Sequence, residues 1–210
     1  MKPIAKQSTR DQVIASLRKA IFNGDLKDGE ELIQEEIAKK LNVSRMPVRE
    51  AFYALEREGL LITNQNRRVT VKEFTVDDIN DHYDIRAMME GEAAARASQT
   101  EIDVQELKEI QQDIEIAVAE KNVNDYIITN EHFHRVIWKS AKSARLLSFL
   151  DQMWNGLPPH LAEMVEDQMS KSVAEHNEII KAIISKNEEQ ARIAMVNHVR
   201  RSKKDFLENY

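Results

Sequence analysis

Seven positions of this 210-residue chain combine residue type and spacing in a way that could do chemistry: Arg45 and Arg49, Asn130, His134, His176 and His198, and Arg86. The two arginines four apart project from one side of a helix, and a guanidinium's planar fork can donate twice to guanine O6 and N7 or clamp a phosphate. An amide and three imidazoles are neutral donors that together could hold a divalent cation. An inward arginine suits an anionic small molecule, because its pairing with a carboxylate can be bidentate.

Arg45 and Arg49 lie in Leu41-Asn42-Val43-Ser44-Arg45-Met46-Pro47-Val48-Arg49-Glu50-Ala51-Phe52. Ser44 is expected to cap this helix, its hydroxyl accepting from first-turn amides, and Pro47 sits early enough to spare the hydrogen-bond ladder. Val48, Ala51, Phe52 and Leu55 recur at helical spacing and form an inward stripe. A shorter helix, Ile33 to Leu41, precedes it across the tight Asn42-Val43 turn, and such a helix-turn-helix would lay its second helix in a major groove. Upstream, Ser8-Thr9 begins a helix with Val13, Ile14, Leu17, Ala20 and Ile21 in phase, and Gly24 stops it. After Glu58-Gly59, Leu60–Thr63 and Val69–Val71 are short β-prone runs around Asn64-Gln65-Asn66-Arg67-Arg68. Three helices and a hairpin make a winged helix, with Arg67 and Arg68 at the wing tip.

From Thr75 onward the texture is helical. Helices are expected from Thr75 to about Ala97, Glu101 to Glu120, Asp125 to Ala141, Ala144 to Trp154, about Ser170 to Ser185 and Glu188 to Glu208. Gly156 and Pro158-Pro159 interrupt the series, with a helical continuation from His160. The fold is therefore mainly α: a winged helix-turn-helix over residues 1–74, followed by an all-helical antiparallel bundle of about six helices over 75–210.

The net charge of −6 alone argues against nucleic acid, yet it is unevenly placed. Residues 1–74 hold 14 Lys and Arg against 11 Asp and Glu, net +3; the remainder holds 16 against 25, net −9. A phosphate-facing head on an acidic body fits that asymmetry. The absence of cysteine excludes disulfides and thiolate metal sites. There is no apolar run of membrane-spanning length and no signal-peptide h-region, so a cytoplasmic protein without membrane association is expected.

At 100° per residue, Asn130 and His134 fall in the apolar stripe of Tyr126, Ile127, Phe133, Ile137, Trp138 and Ala141, whereas His132 points away. His176 shares a face with Val173, Ile180 and Ile183, and His198 with Ala194, Met195 and Phe206. Each inward imidazole needs a polar partner, either a neighbouring side chain or a shared metal ion. Zinc suits three imidazoles best, with nickel as competitor. Arg86 shares the inward face of Ile79, Tyr83, Ala93 and Ala97, where it either grips an anion or pairs with Glu90 one turn on.

Gly24-Asp25-Leu26-Lys27-Asp28-Gly29 with Leu32, Val43-Ser44-Arg45-Met46-Pro47-Val48-Arg49-Glu50-Ala51 and Leu55-Glu56-Arg57-Glu58-Gly59-Leu60 make residues 8–74 resemble the DNA-binding domain of the GntR family of bacterial transcription regulators. The resemblance implies that Ser44, Arg45 and Arg49 contact operator phosphates and base edges, with Met46 at a variable position that helps choose the sequence. The family's wing usually has a glycine at its tip; here Asn66 is expected to take the left-handed backbone. Some relatives carry an arginine where this chain has Glu35, and that contact is not carried over. Residues 75–210 resemble the all-helical FCD effector domain of the FadR subfamily. Asn130-Glu131-His132-Phe133-His134, Ala174-Glu175-His176-Asn177 and Val196-Asn197-His198-Val199 match its ligand motifs, and Tyr83-Asp84-Ile85-Arg86 its effector-gripping arginine. Asn130 stands where an aspartate is common, which lowers metal affinity but leaves the ion its full charge for an anionic ligand.

The expected function is a metabolite-responsive regulator, a repressor, binding a pseudo-palindromic operator as a homodimer and answering to a small carboxylate at a metal site. Two alternatives use the same histidines: a metal-dependent enzyme and a regulator that senses the metal itself. Against an enzyme, Glu131 and Glu175 adjoin ligand positions but fall out of phase with the stripe, leaving no obvious general base.

Overall fold

A computed structural model describes residues 8–156 and 166–209, and it separates into two compact units that divide between Phe74 and Thr75. The expected Pro158-Pro159 break and the helical restart at His160 lie outside the described residues.

In the first unit, α1 (Thr9–Phe22) starts at Ser8, whose hydroxyl accepts from the Asp11 amide at 3.1 Å. α2 (Gln34–Lys40) and α3 (Arg45–Arg57) follow, with β2 (Leu61–Thr63) and β3 (Val69–Val71) after them. Between α2 and α3, Asn42 takes φ 53, and the Val43 amide donates to Ala38 carbonyl at 3.0 Å, closing the turn that aims α3. Asn tolerates that left-handed conformation better than most residues. A two-residue strand, β1 (Glu31–Leu32), escaped sequence reading because it is too short to show alternation. It makes the wing a three-stranded antiparallel sheet in the order β1-β3-β2, with Glu31 opposite Thr70 and Leu61 opposite Val71.

One core holds this unit together: Val13, Ile14 and Leu17 from α1 meet Val48, Ala51, Phe52 and Leu55 from α3 and Leu61 and Val71 from the sheet. Arg18 on α1 donates from Nη2 to both oxygens of Glu58 at 2.8 Å, tying α1 to the end of α3. Partly buried and forked, that pair fixes direction as well as adding attraction.

The second unit is wholly helical among the described residues: α4 (Val76–Ser98), α5 (Val104–Ala119), α6 (Val123–Ser140), α7 (Ala144–Trp154), α8 (Glu166–Ile184) and α9 (Glu188–Asn209). α8 begins four residues ahead of the Ser170 expected from sequence. Thr75 and Asp78 form a reciprocal capping box at the start of α4. α4 packs chiefly on α9, and Gly91 permits the close approach: a Cβ there would lie 2.6 Å from Val196 Cγ2. Trp138, Leu150, Trp154 and Ala93 form an apolar cluster where α4, α6 and α7 meet. No described helix is long and apolar enough to cross a membrane.

Candidate nucleic-acid interface and metal centre

The same phase that buries Val48, Ala51, Phe52 and Leu55 leaves Ser44, Arg45, Met46 and Arg49 exposed at the start of α3. Ser44 stands at the N-cap with extended backbone (φ −72, ψ 164), but its hydroxyl makes no capping hydrogen bond, contrary to expectation. Pro47 stands at N3, where it has no N–H for that hydroxyl to accept from, so the exposed Ser44 hydroxyl at the helix N-terminus is left open to an anion's contacts. Arg45 Nη1 lies 3.9 Å from Glu35 Oε2, both side chains being mostly exposed; such a pair is worth little and exchanges readily for a phosphate. Among the described residues Arg49 Nη2 meets the weakly accepting Sδ of Met46, at 3.3 Å.

At the wing, Arg67 and Arg68 are both exposed, and Arg68 Nη1 donates to Glu31 Oε2 at 3.2 Å. The left-handed residue is Arg67 (φ 60), not the expected Asn66. The hairpin closes through Arg67 N to Asn64 O and Asn64 N to Arg68 O, both 2.8 Å. A hairpin loop built on such a turn puts its left-handed residue just after the turn, whichever side chain stands there.

In the helical unit α6, α8 and α9 bring His134, His176 and His198 together, each offering one ring nitrogen within 4.8 Å of the others, and all three are buried. Asn130, also buried, sits one helical turn before His134 on α6. His132 is exposed and faces Glu106 instead, as phase required.

Two of the rings are oriented by carboxylates. His134 Nδ1 lies 2.5 Å from Glu90 Oε2, and His198 Nδ1 lies 2.7 Å from Glu175 Oε2. An ionised carboxylate only accepts, so each Nδ1 carries the hydrogen, and in its neutral form each ring presents the Nε2 lone pair inward. His134 Nε2 and His198 Nε2 consequently face each other at 3.3 Å. His176 has no hydrogen-bond partner on either ring nitrogen among the described residues, and its ring stacks on Phe133 at 4.1 Å. Three converging ring nitrogens, one of them on a buried imidazole without a partner among the described residues, are satisfied together by one cation, so these residues fit a divalent ion.

Electrostatics agree. Burial pushes His198 down to about 4, with Glu175 opposing and His134 assisting. Burial, with His198 and His134 beside it, pushes His176 well below its ordinary value. Both rings are thus neutral near pH 7, the state a metal needs.

Sequence reading missed two carboxylates. Glu90, fully buried on α4, would be raised by burial, but His134 and Arg86 outweigh that and hold it well below the carboxylate range. Its Oε2 also accepts from Trp138 Nε1 at 3.0 Å, and its Oε1 from Arg86 Nε at 2.5 Å. Its spacing from Arg86 signalled the ion pair, but nothing local signalled His134, 44 residues away. Glu175, set aside as out of phase, points sideways from α8 to His198 and Arg201 on α9; burial raises its carboxyl, and the hydrogen bonds of those two bring it down to about 2. Glu131 pairs with Arg135 within α6. Of the two readings left open for Arg86, the structure contains the pair with Glu90, and the guanidinium also lies over the Trp154 ring at 4.3 Å.

Comparison with known proteins agrees with both units. Residues 9–71 match the bacterial regulatory proteins of the gntR family, and residues 81–201 match the FCD domain. The chain is 28% identical over 202 residues to the HTH-type transcriptional regulator YdhC of Bacillus subtilis, covering 89% of this chain and 86% of that one. It is 25% identical over 189 residues to the gluconate operon transcriptional repressor of Bacillus licheniformis, covering 89% and 76%. Among solved structures, E. coli McbR/YncC superposes with a TM-score of 0.79 at 23% identity, covering 98% of this chain and all of that one. The metal-free FCD domain of TM0439 gives a TM-score of 0.56 at 20% identity, over 65% of this chain and 96% of that one. With a winged head bearing exposed arginines and a helical unit built around three histidines, this chain belongs to the GntR family of bacterial regulatory proteins and carries an FCD domain.

Proposed function

We propose that this protein is a metabolite-responsive repressor that acts in the cytoplasm, bound as a homodimer to a pseudo-palindromic operator. Ser44, Arg45, Met46 and Arg49 enter the major groove, and Arg67 and Arg68 approach the flanking backbone or minor groove. Two heads on two half-sites raise affinity without new base contacts. In the helical unit His134, His176 and His198, with the amide of Asn130, hold a divalent ion, zinc before nickel. Bound there, the ion supplies a fixed positive charge that attracts an anionic ligand. Arg86 contributes a second cationic group, and the effector class that fits is a small carboxylate.

The observation that carries this reading is His176: an imidazole 0% exposed, with neither ring nitrogen hydrogen-bonded among the described residues, beside two rings whose inner nitrogens are turned toward each other. An enzyme would need a base beside that centre, and the carboxylates within reach, Glu90 and Glu175, are both committed to histidine and arginine partners.

Metal analysis of purified protein, with binding to a palindrome selected from random DNA measured with and without chelator and small carboxylates, tests the reading. One bound ion per chain and release of DNA by a carboxylate only in the metal-loaded form is the expected result. Release by metal removal alone would make the ion itself the signal. A protein that takes up no metal would overturn the effector site.

A further inference from the structure

We infer that Glu90 is a positioning residue with two duties of opposite sign: it orients His134 for the metal, and it occupies Arg86 as an internal carboxylate that an incoming anion must displace. This rests on the metal and effector reading above and specifies how that site is regulated.

The geometry leaves Glu90 little freedom. Oε2 is committed to His134 Nδ1 at 2.5 Å and to Trp138 Nε1 at 3.0 Å, while Oε1 takes Arg86 Nε at 2.5 Å. Glu90 is 0% exposed; Arg86, which it holds, is 8% exposed, and its guanidinium lies over Trp154. One negative charge is thus shared between a metal-ligand candidate and the cation proposed to grip the effector. Orienting carboxylates behind a ligating histidine typically account for about 10- to 100-fold in metal affinity. The same charge lowers the affinity of Arg86 for any other anion, because exchanging one buried carboxylate for another gains only the difference between two similar pairs.

A coupling between the two ligands follows. A dication drawing on His134 Nε2 makes its Nδ1–H a stronger donor, which pulls Glu90 toward the imidazole and loosens its claim on Arg86. Carboxylate binding is therefore favoured by the metal through Glu90, in addition to direct attraction by the ion, and by linkage the carboxylate favours the metal equally.

The test measures two affinities in Glu90→Gln and wild type: zinc by competition with a chromophoric chelator, and acetate and citrate by thermal shift of the metal-free protein. Expected are a loss of about 10- to 100-fold in zinc affinity and, in the opposite direction, a larger melting shift with carboxylate than wild type shows. General damage to the fold weakens both, so opposite signs are the mark of the proposal. Glu90→Asp, which keeps the charge but cannot span both partners, is expected to move the same way to a smaller extent, and it serves if Glu90→Gln does not fold. Unchanged zinc affinity, or no added carboxylate response in either variant, would overturn the inference; a wild type that binds no zinc would instead overturn the reading beneath it.

Discussion

His198 Nε2 stands 3.3 Å from His134 Nε2, and each ring is turned to that position by a carboxylate on its other nitrogen, Glu175 behind one and Glu90 behind the other. Turned to one point in this way, the two rings together with His176 define where a cation is wanted.

Replacing a ligand tests that demand directly. His134→Ala is expected to lower bound metal from one ion per chain to near zero and to abolish stabilisation by added zinc. For wild type, zinc at a hundred times its dissociation constant adds about 2.7 kcal/mol, which in a chain of this size raises the melting temperature by about 5–10 °C. An equal shift in the variant would show that zinc binds elsewhere.

Glu175→Gln leaves every proposed ligand in place and removes only the charge behind His198. About a tenfold to hundredfold loss of zinc affinity is expected, measured by chelator competition. Arg201, which donates from Nη2 to Glu175 at 2.7 Å and from Nη1 to Asp205 at 2.7 Å, holds that carboxylate, so Arg201→Met should reproduce part of the loss.

The metal-free protein should lose stability on acidification. Burial holds His198 near 4 and His176 well below the ordinary value of 6.5, so below pH 6.5 the unfolded chain binds more protons than the native one. Native stability therefore rises with pH across that window and falls as pH drops from 6.5 toward 4, by at most about 1.4 kcal/mol per pH unit for each group. Glu175, lowered to about 2, continues the same trend below pH 4.5. Urea midpoints of chelated protein between pH 7.5 and 4.5 give the slope, and a flat profile would contradict it.

Arg49→Ala should leave the melting temperature within about 1 °C, since an exposed side chain away from structural contacts contributes little, while operator affinity falls by about 5- to 150-fold, corresponding to about 1–3 kcal/mol for one bidentate base contact. Band shifts at fixed salt measure this. An unchanged affinity would remove Arg49 from the interface.

Much of this protein was legible in its sequence because the relevant signals are local. Val48, Ala51, Phe52 and Leu55 repeat at helical spacing, so their burial and the exposure of Arg45 and Arg49 follow from one rotation angle. The same rule turned His134, His176 and His198 inward and His132 outward. Tertiary structure alone decided the rest. Whether three inward imidazoles converge depends on how α6, α8 and α9 pack, and which partner Glu90 finds depends on α4 meeting α6 across 44 residues of sequence. Glu175 shows the limit most clearly: its phase on α8 pointed away from the stripe, yet the neighbouring α9 came to meet it. Periodicity fixes the direction of a side chain within its own helix; only the packing of helices fixes what stands in that direction.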